Sequence, residues 1–570
     1  MRKPEGLVYG FNDLPPPRVA VFVALQQLAF LTALLGVPGL AMANLGLSTE
    51  VFLHLSSATL LAAAMAVLLQ GIGRFGLGAG LFYPLQCTTA AIPALLFASH
   101  EGLNPGQSFS MVAVAGLTQV LFSFVIVRLR GIFTVEIAGL AIFLIGVGLG
   151  QQGLILIIDG PAQEHMATLH YAISGLTLAT LVGLHIYVRT RLRLFTTLIG
   201  LSVGFAASAA FGLLDPSAVA LFDAAPLFGL PRLPVFGWGF DEHAIIPFAV
   251  TGFVFALTSI GVQTIAQRNN DADWKSPDLV SISRGVRAEG VVHLVGSMMN
   301  ALPMVASGGA VMLAAASGCT SRALAFWTGG FLALAAVLPK VIGFWLMLPS
   351  GVTGALFLFL SAFTTVSGLQ LVGSRMLDGR KVLAIGIGFV TAIAYEPIRA
   401  LLDARLPELR PVTFSAFAVS VLVAVGLLAL FRIGAAQRVT RRFDSASASH
   451  DDVARFLEAE GRRWGARHDV VHRGAHVAWQ AIELLGDGLV DPARPEIEVE
   501  TRYDDLFFEV IVRYVGTLPE LSGAPPSAED LVDNPDLTRS LAGYLIQRLS
   551  PVLVTRSVRG LHELHFRLPL

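Results

Sequence analysis

Long apolar stretches alternate with short polar ones from Arg18 to about Arg432. Each runs for about 20 residues, the length a helix needs to cross the hydrocarbon core of a bilayer. The pattern predicts fourteen spans, at approximately 18–40, 51–71, 78–98, 107–128, 133–156, 168–188, 194–214, 245–266, 289–304, 305–320, 323–345, 350–373, 380–395 and 412–432. Lipid cannot satisfy exposed backbone amides, and the runs are too long and uniformly apolar for barrel strands, so an all-α polytopic bundle is expected. Residues 1–17 form an N-terminal segment and 433–450 a basic linker, after which the period changes. Helix-like stretches at 453–464, 472–485 and 536–549 mix with alternating strand patterns at 496–503, 506–514 and 561–568, predicting a small soluble α/β domain over 451–570.

The membrane part divides into two halves, 18–214 and 245–432, with seven predicted segments each. An odd number per half forces the second to insert upside down, the inverted-repeat plan of many secondary transporters. The third segment of each half is short and interrupted, by Gly78, Gly80 and Pro84 in one and by Pro303 and Ser307-Gly308-Gly309 in the other. Such breaks free backbone groups at mid-membrane depth, which is tolerated only around a protein-lined cavity, and half-helix N-termini there offer N–H donors to a ligand. One central site between the two breaks is expected, with close helix packing as the alternative account of the same glycines.

Composition agrees: 54% of the 570 residues are hydrophobic and 14% charged, with a mean hydropathy of +0.69, whereas a soluble domain carries about 25% charged residues. Arg74, Arg128, Arg130, Arg189, Arg191, Arg193, Arg268, Lys275, Arg284, Arg287, Arg322, Arg375, Arg380 and Lys381 fall in connections on one side, and Asp159, Glu164, Asp223, Asp241 and Glu242 on the other, with Arg232, Lys340, Arg399, Arg405 and Arg410 as exceptions there. Positive charge favours the cytoplasm, so both termini are expected inside the inner membrane. No small-residue cleavage site follows the start, so the first helix is expected to be retained. Cys87 and Cys319 lie in apolar segments, which suggests neither a disulfide framework nor a metal motif. A net charge of −1 gives no case for a nucleic-acid partner. With no nucleophile–base pair or metal-ligand cluster, neither catalysis nor a cofactor is expected.

Several short motifs recur in a known order. Phe11-Asn12-Asp13-Leu14-Pro15-Pro16-Pro17 precedes Ala24-Leu25-Gln26-Gln27; the third segment reads Gln86-Cys87-Thr88-Thr89-Ala90; Arg284-Gly285 leads to Ala288-Glu289-Gly290; Ser317-Gly318 precedes Ser321-Arg322; and Leu348-Pro349 precedes Val352-Thr353-Gly354. Over residues 11 to about 373 this series resembles the nucleobase-ascorbate transporter family. The resemblance implies core and gate domains, a homodimer, and a nucleobase or small heterocycle bound between the third and tenth half-helices. It assigns the substrate site to Gln26, Gln27, Cys87, Thr88, Thr89, Ala90, Thr258, Ser259, Ser307, Gly308, Gly309 and Ala310. The family's gripping carboxylates on the eighth and tenth helices are replaced here by Thr258-Ser259 and Gly308-Gly309. A hydroxyl cannot titrate in their place, so proton symport through those positions is not expected.

Among other polar residues in the spans, Gln26, Gln27, Thr88 and Thr89 are open to either substrate contact or helix-helix bonding. Glu136 is expected in an interfacial ion pair with Arg128 or Arg130, and His185 and His293 in plain hydrogen bonds. The tail's order of elements resembles the histidine-kinase-type ATPase, without the asparagine expected after Glu483 or the aspartate-glycine pair near Tyr514-Val515-Gly516. A regulatory or dimerisation module is the resulting expectation, with an anti-sigma-type anion-permease tail as the alternative. The readings of the whole chain, in order, are a nucleobase permease, an anion transporter related to sulfate permeases, and a sensor signalling through the tail.

Overall fold

The computed structural model describes residues 2–48, 51–129, 132–159, 166–188, 195–274, 277–374, 377–431, 438–445, 447–464, 466–486, 488–504, 507–519, 536–550, 552–558 and 560–569. Arg130, Glu164, Arg189, Arg191, Arg193, Lys275 and Arg375, used above for orientation, lie outside them. The chain divides into a unit of Met1–Val372 with Ala384–Gly426 and a unit of Gly373–Leu383 with Leu427–Leu570.

The first unit opens with α1 (Pro17–Thr32), α2 (Gly36–Leu45) and α3 (Val51–Ile72), then strand β1 (Leu85–Cys87) and the short α4 (Ile92–His100). Next come α5 (Pro105–Ser110), α6 (Val112–Ser123), α7 (Val135–Ile158), α8 (Ala167–Tyr187), α9 (Thr196–Ala210) and α10 (Pro216–Ala224). The second half follows as α11 (Ile245–Asn270), α12 (Leu279–Met298), strand β2 (Met304–Ala306), α13 (Gly308–Ala316), α14 (Leu324–Ala336), α15 (Pro339–Leu346), α16 (Ser350–Val372), α17 (Gly379–Arg405) and α18 (Ala416–Phe431). Seven described helices are long and apolar enough to cross a membrane, or eight if α14 and α15, bent by 81°, count as one span. The other predicted spans are shorter or broken, except α12, which is long enough but carries Arg284, Arg287 and Glu289.

Two predicted spans needed correction at the breaks. Helix was expected over 78–98 and over 305–320, but each begins as a three-residue strand and turns helical only after Thr88 and after Ser307. The chain before β1 makes a loop in which Gly73, Gly76, Gly78 and Gly80 all have positive φ, a conformation open to glycine and costly for other residues. The ninth span was expected at 289–304, whereas α12 starts at Leu279, where the Asp278 carboxylate caps the amides of Val280 and Ser281. It ends in a turn at Asn300, whose φ is +57°.

Glycine sets the helix spacing. A Cβ on Gly116 of α6 would come 2.6 Å from the Gly290 carbonyl oxygen of α12, and one on Gly290 would come 2.5 Å from that of Gly116. Gly153 of α7 and Gly354 of α16 meet in the same reciprocal way, at 2.7 and 2.6 Å. In a bilayer, where apolar burial does little to join helices, such backbone approach is a main source of packing energy.

The tail unit holds β3 (Arg438–Asp444), α19 (His450–Trp464), α20 (His468–Gly486), β4 (Glu496–Asp504), β5 (Phe507–Val515), α21 (Asp536–Leu549), β6 (Val552–Val558) and β7 (Leu561–Pro569). Its sheet has the order β3-β4-β5-β7-β6, and every pairing is antiparallel. The expected α/β class is therefore corrected to α+β, with helices packed on one face of the sheet: Val499, Phe508, Val510, Val512 and Phe566 share a core with Val470, Ala478 and Ile482 of α20. β3 occupies part of the stretch read as a basic linker. Its arginines hid a strand whose Val439 and Phe443 pack on the core side.

Candidate functional site

The two breaks meet. β1 and β2 pair antiparallel, with Leu85 opposite Ala306, Gln86 opposite Val305 and Cys87 opposite Met304. Beyond this short ladder each chain enters its half-helix through a hydroxyl cap. The Thr88 Oγ1 accepts from the Ala90 amide at 3.2 Å, and the Ser307 Oγ accepts from the Ala310 amide at 3.1 Å. A capping oxygen satisfies one of the four amides left open at a helix start, and the others add to the positive end of the helix dipole.

Cross-links fix the geometry. Ser307 donates through Oγ to the Gln86 Oε1 at 2.5 Å, and the Gln27 Nε2 donates to the Ala310 carbonyl at 3.1 Å. Of the twelve residues expected to form the site, these bonds bring together Gln27, Ser307 and Ala310, while Cys87 lies in β1 and Thr88 and Thr89 at the adjoining half-helix start. Ala90, Gly308 and Gly309 are partly buried at the two half-helix starts, Gly309 against the Phe30 ring. Gln26 is buried, and neither of its amide atoms has a hydrogen-bond partner among the described residues. Thr258 bonds back to the Val254 carbonyl at 3.1 Å. A cavity of about 240 Å³ is lined by His54, Ser57, Leu221 and Pro339 and by none of the crossing residues.

Ser259 leads elsewhere. Besides the Phe255 carbonyl, its hydroxyl donates to the Glu289 Oε2, on α12. Glu289 is fully buried. Tyr83 donates to its Oε1 at 2.6 Å and the Gln119 Nε2 to its Oε2 at 3.2 Å. Gln119 in turn holds the His293 Nδ1 at 2.5 Å, and the His293 Nε2 lies 3.1 Å from the Met304 amide of β2. A backbone amide can only donate, so the His293 Nε2 accepts and its hydrogen sits on Nδ1. The bonds therefore run in one direction, from the Met304 amide through His293 and Gln119 to the Glu289 carboxylate.

Sequence reasoning took Glu289 only as a motif letter, although a carboxylate within a membrane-spanning segment is itself a functional signal. His293 belongs to this chain of bonds, whereas His185 packs its ring against Phe359 and Phe363 at 5.8 and 4.8 Å. Glu136 is fully buried in the first turn of α7. Among the described residues no group of three His, Cys, Asp or Glu is placed to hold a metal.

The chain is 24% identical over 412 residues to the xanthine permease XanQ of Escherichia coli, covering 69% of this chain and 87% of that one. It is 25% identical over 463 residues to the nucleobase transporter PlUacP of Paenibacillus larvae, covering 80% and 99%. Among solved structures, the transmembrane domain of the cyanobacterial bicarbonate transporter BicA aligns with a TM-score of 0.43 at 13% identity, covering 72% of this chain and 97% of that one. The Xan_ur_permease model, described as a permease family, matches residues 18–396, and with two thirds of its length inside that match the chain is a multi-pass membrane protein that belongs to this permease family.

Proposed function

We propose that this permease carries a nucleobase such as xanthine, urate or uracil across the inner membrane by alternating access, and that Glu289 takes up and releases a proton in the cycle. The substrate class is favoured by the named activities of the relatives, xanthine and nucleobase transport. A nucleobase offers N–H and C=O groups along one edge, which an amide side chain can match with a donor and an acceptor together. The unpartnered Gln26 amide has that capacity, and the Thr88 and Thr89 hydroxyls beside the half-helix start supply further partners.

The observation that carries the coupling role is the setting of Glu289: a buried carboxylate whose described partners, Tyr83, Gln119 and Ser259, are all neutral donors. Three hydrogens already point at its two oxygens. Protonation turns one oxygen into an O–H that needs an acceptor, which the Gln119 amide can supply by turning. If the Gln119 amide rotates, it presents its oxygen to the acid and its NH2 to His293. The His293 Nδ1 must then accept, the hydrogen moves to Nε2, and the Met304 amide loses its acceptor. Proton occupancy at Glu289 is thereby tied to the strand that leads into the tenth half-helix. Proton symport was not expected through the eighth-helix position itself, and the Ser259 bond to Glu289 supports a coupling carboxylate relocated to α12.

An inverted repeat is supported by packing that recurs when the halves are exchanged: β1 against β2, α7 against α16, and α6 with α12 where the other half has α14 with α3. Cytoplasmic termini are supported by the asymmetry of Arg and Lys among the connections. The tail is read as a regulatory or dimerisation module.

A thermal-shift screen of the purified protein tests the substrate class, since a ligand that binds only the folded state raises the melting temperature. The expected result is a shift with xanthine, urate or uracil that Gln26→Ala removes. A shift with bicarbonate or sulfate and none with nucleobases would replace this reading with an anion transporter.

A further inference from the structure

We propose that the open face of the tail sheet binds a phosphate-type oxyanion, held by Arg502, Arg556 and Arg567 around a cavity of about 360 Å³. One face of the sheet is covered by helices. On the other, alternate residues of each strand carry charge, and their register is fixed: Arg502 of β4 stands opposite Glu509 of β5, which stands opposite Arg567 of β7. Arg556 of β6 and His565 of β7 complete the charged lining, with Val554 as its apolar member. With the groups these side chains touch included, Arg502, Arg513, Arg556 and Arg567 stand against Glu500, Glu509 and Glu563, a formal excess of one positive charge with the histidine neutral.

Two of these arginines are held from behind. Arg502 is bonded to Glu500, a carboxylate only 4% exposed that also receives Arg513 at 2.5 Å. Arg567 lies over the Phe507 ring at 5.2 Å and reaches Glu509 at 3.4 Å. Arg556 is exposed and has no ion pair among the described residues, because Glu563, its partner in the register, is engaged by Arg513 at 2.6 Å and His565 at 2.9 Å. An anion placed among the three guanidinium groups is attracted by each of them. Their planar forks match the edges of a tetrahedral oxyanion. Side chains already anchored lose little freedom on binding, which favours affinity. A phosphate group meets the excess positive charge, and the cavity has room for a substituent or bound waters beyond it. The chemistry is shared by soluble phosphate compounds and by phosphate-bearing lipid headgroups.

The test uses the full chain in phosphatidylcholine nanodiscs, with hydrogen exchange of β4, β5, β6 and β7 as the readout. In one arm sodium pyrophosphate is titrated; in the other, phosphatidylglycerol replaces part of the phosphatidylcholine. The expected result is slowed exchange in at least one arm, weakened by about tenfold in Arg556→Gln, the equivalent of one charge-assisted pair. Arg556→Gln removes a side chain that no described residue pairs with, so the fold is retained, and Arg567→Gln serves as the second variant. A response to pyrophosphate alone identifies a soluble ligand, and a response to phosphatidylglycerol alone identifies a headgroup. Unchanged exchange in both arms, or variants that respond as the parent does, overturns the proposal.

Discussion

Glu289 in the membrane unit and Glu500 in the tail are both carboxylates withdrawn from water, yet their neighbours differ in kind. Glu500 sits between two guanidinium groups, Arg502 and Arg513. Burial works to raise its pKa, but the bonds and charge of the two arginines outweigh it, so the carboxyl stays below the ordinary glutamate range. Glu289 is met by a phenol, an amide and a hydroxyl, none of them charged. A proton can reach it without breaking an ion pair. The contrast separates a carboxylate that fixes a structure from one that can change state during a cycle.

The largest effect is expected where that contrast is broken on the membrane side. Glu289→Gln should lower pH-driven nucleobase accumulation in proteoliposomes by about 100-fold or more, the scale of a lost proton-transfer group, while ligand-induced thermal shifts in detergent persist. On the tail side, Glu500→Ala leaves Arg502 without its carboxylate and Arg513 with only Glu563. It should destabilise the tail by about 3 kcal/mol, read by hydrogen exchange in β4 and β5. Transport should survive that change.

Tyr83→Phe sharpens the comparison by removing one neutral donor from Glu289. The expected cost is about 1 kcal/mol, a factor of about five in exchange rate, measured by counterflow. The smallest effect concerns pH in the tail. Burial, with His472 and His450 alongside, holds the His476 imidazole below its ordinary value. The unfolded chain then takes up a proton near about pH 6.5 where the folded tail does not, so stability is complete above that pH and declines as pH falls toward the folded value. His476→Gln should flatten that decline in exchange measured from about pH 7 to pH 5.

The long spans, seven or eight of the fourteen expected, were legible because a bilayer imposes a length and an apolar content that few other structures share. The ninth was misplaced because Ser281, Ser283, Arg284, Arg287 and Glu289 lower its hydropathy, although the helix is largely enclosed by protein. The breaks near Gly78 and Ser307 could be read from glycine and proline. Their strand pairing could not, since three apolar residues carry no period that separates strand from helix. For the site, the position of Glu289 was visible but its hydrogen-bond partners were not, because Tyr83, Gln119 and Ser259 arrive from three other segments of the chain. Recognition of a family drew attention to the missing acids and away from the acid that was present.

Proton movement measured together with substrate is the most direct test of the central claim. Adding nucleobase to proteoliposomes that contain the purified protein and an internal pH dye should acidify the lumen as substrate enters, and Glu289→Gln should carry substrate by exchange with no pH change. Nucleobase entry without acidification in the parent protein, or acidification that persists in the Glu289→Gln variant, would contradict the account.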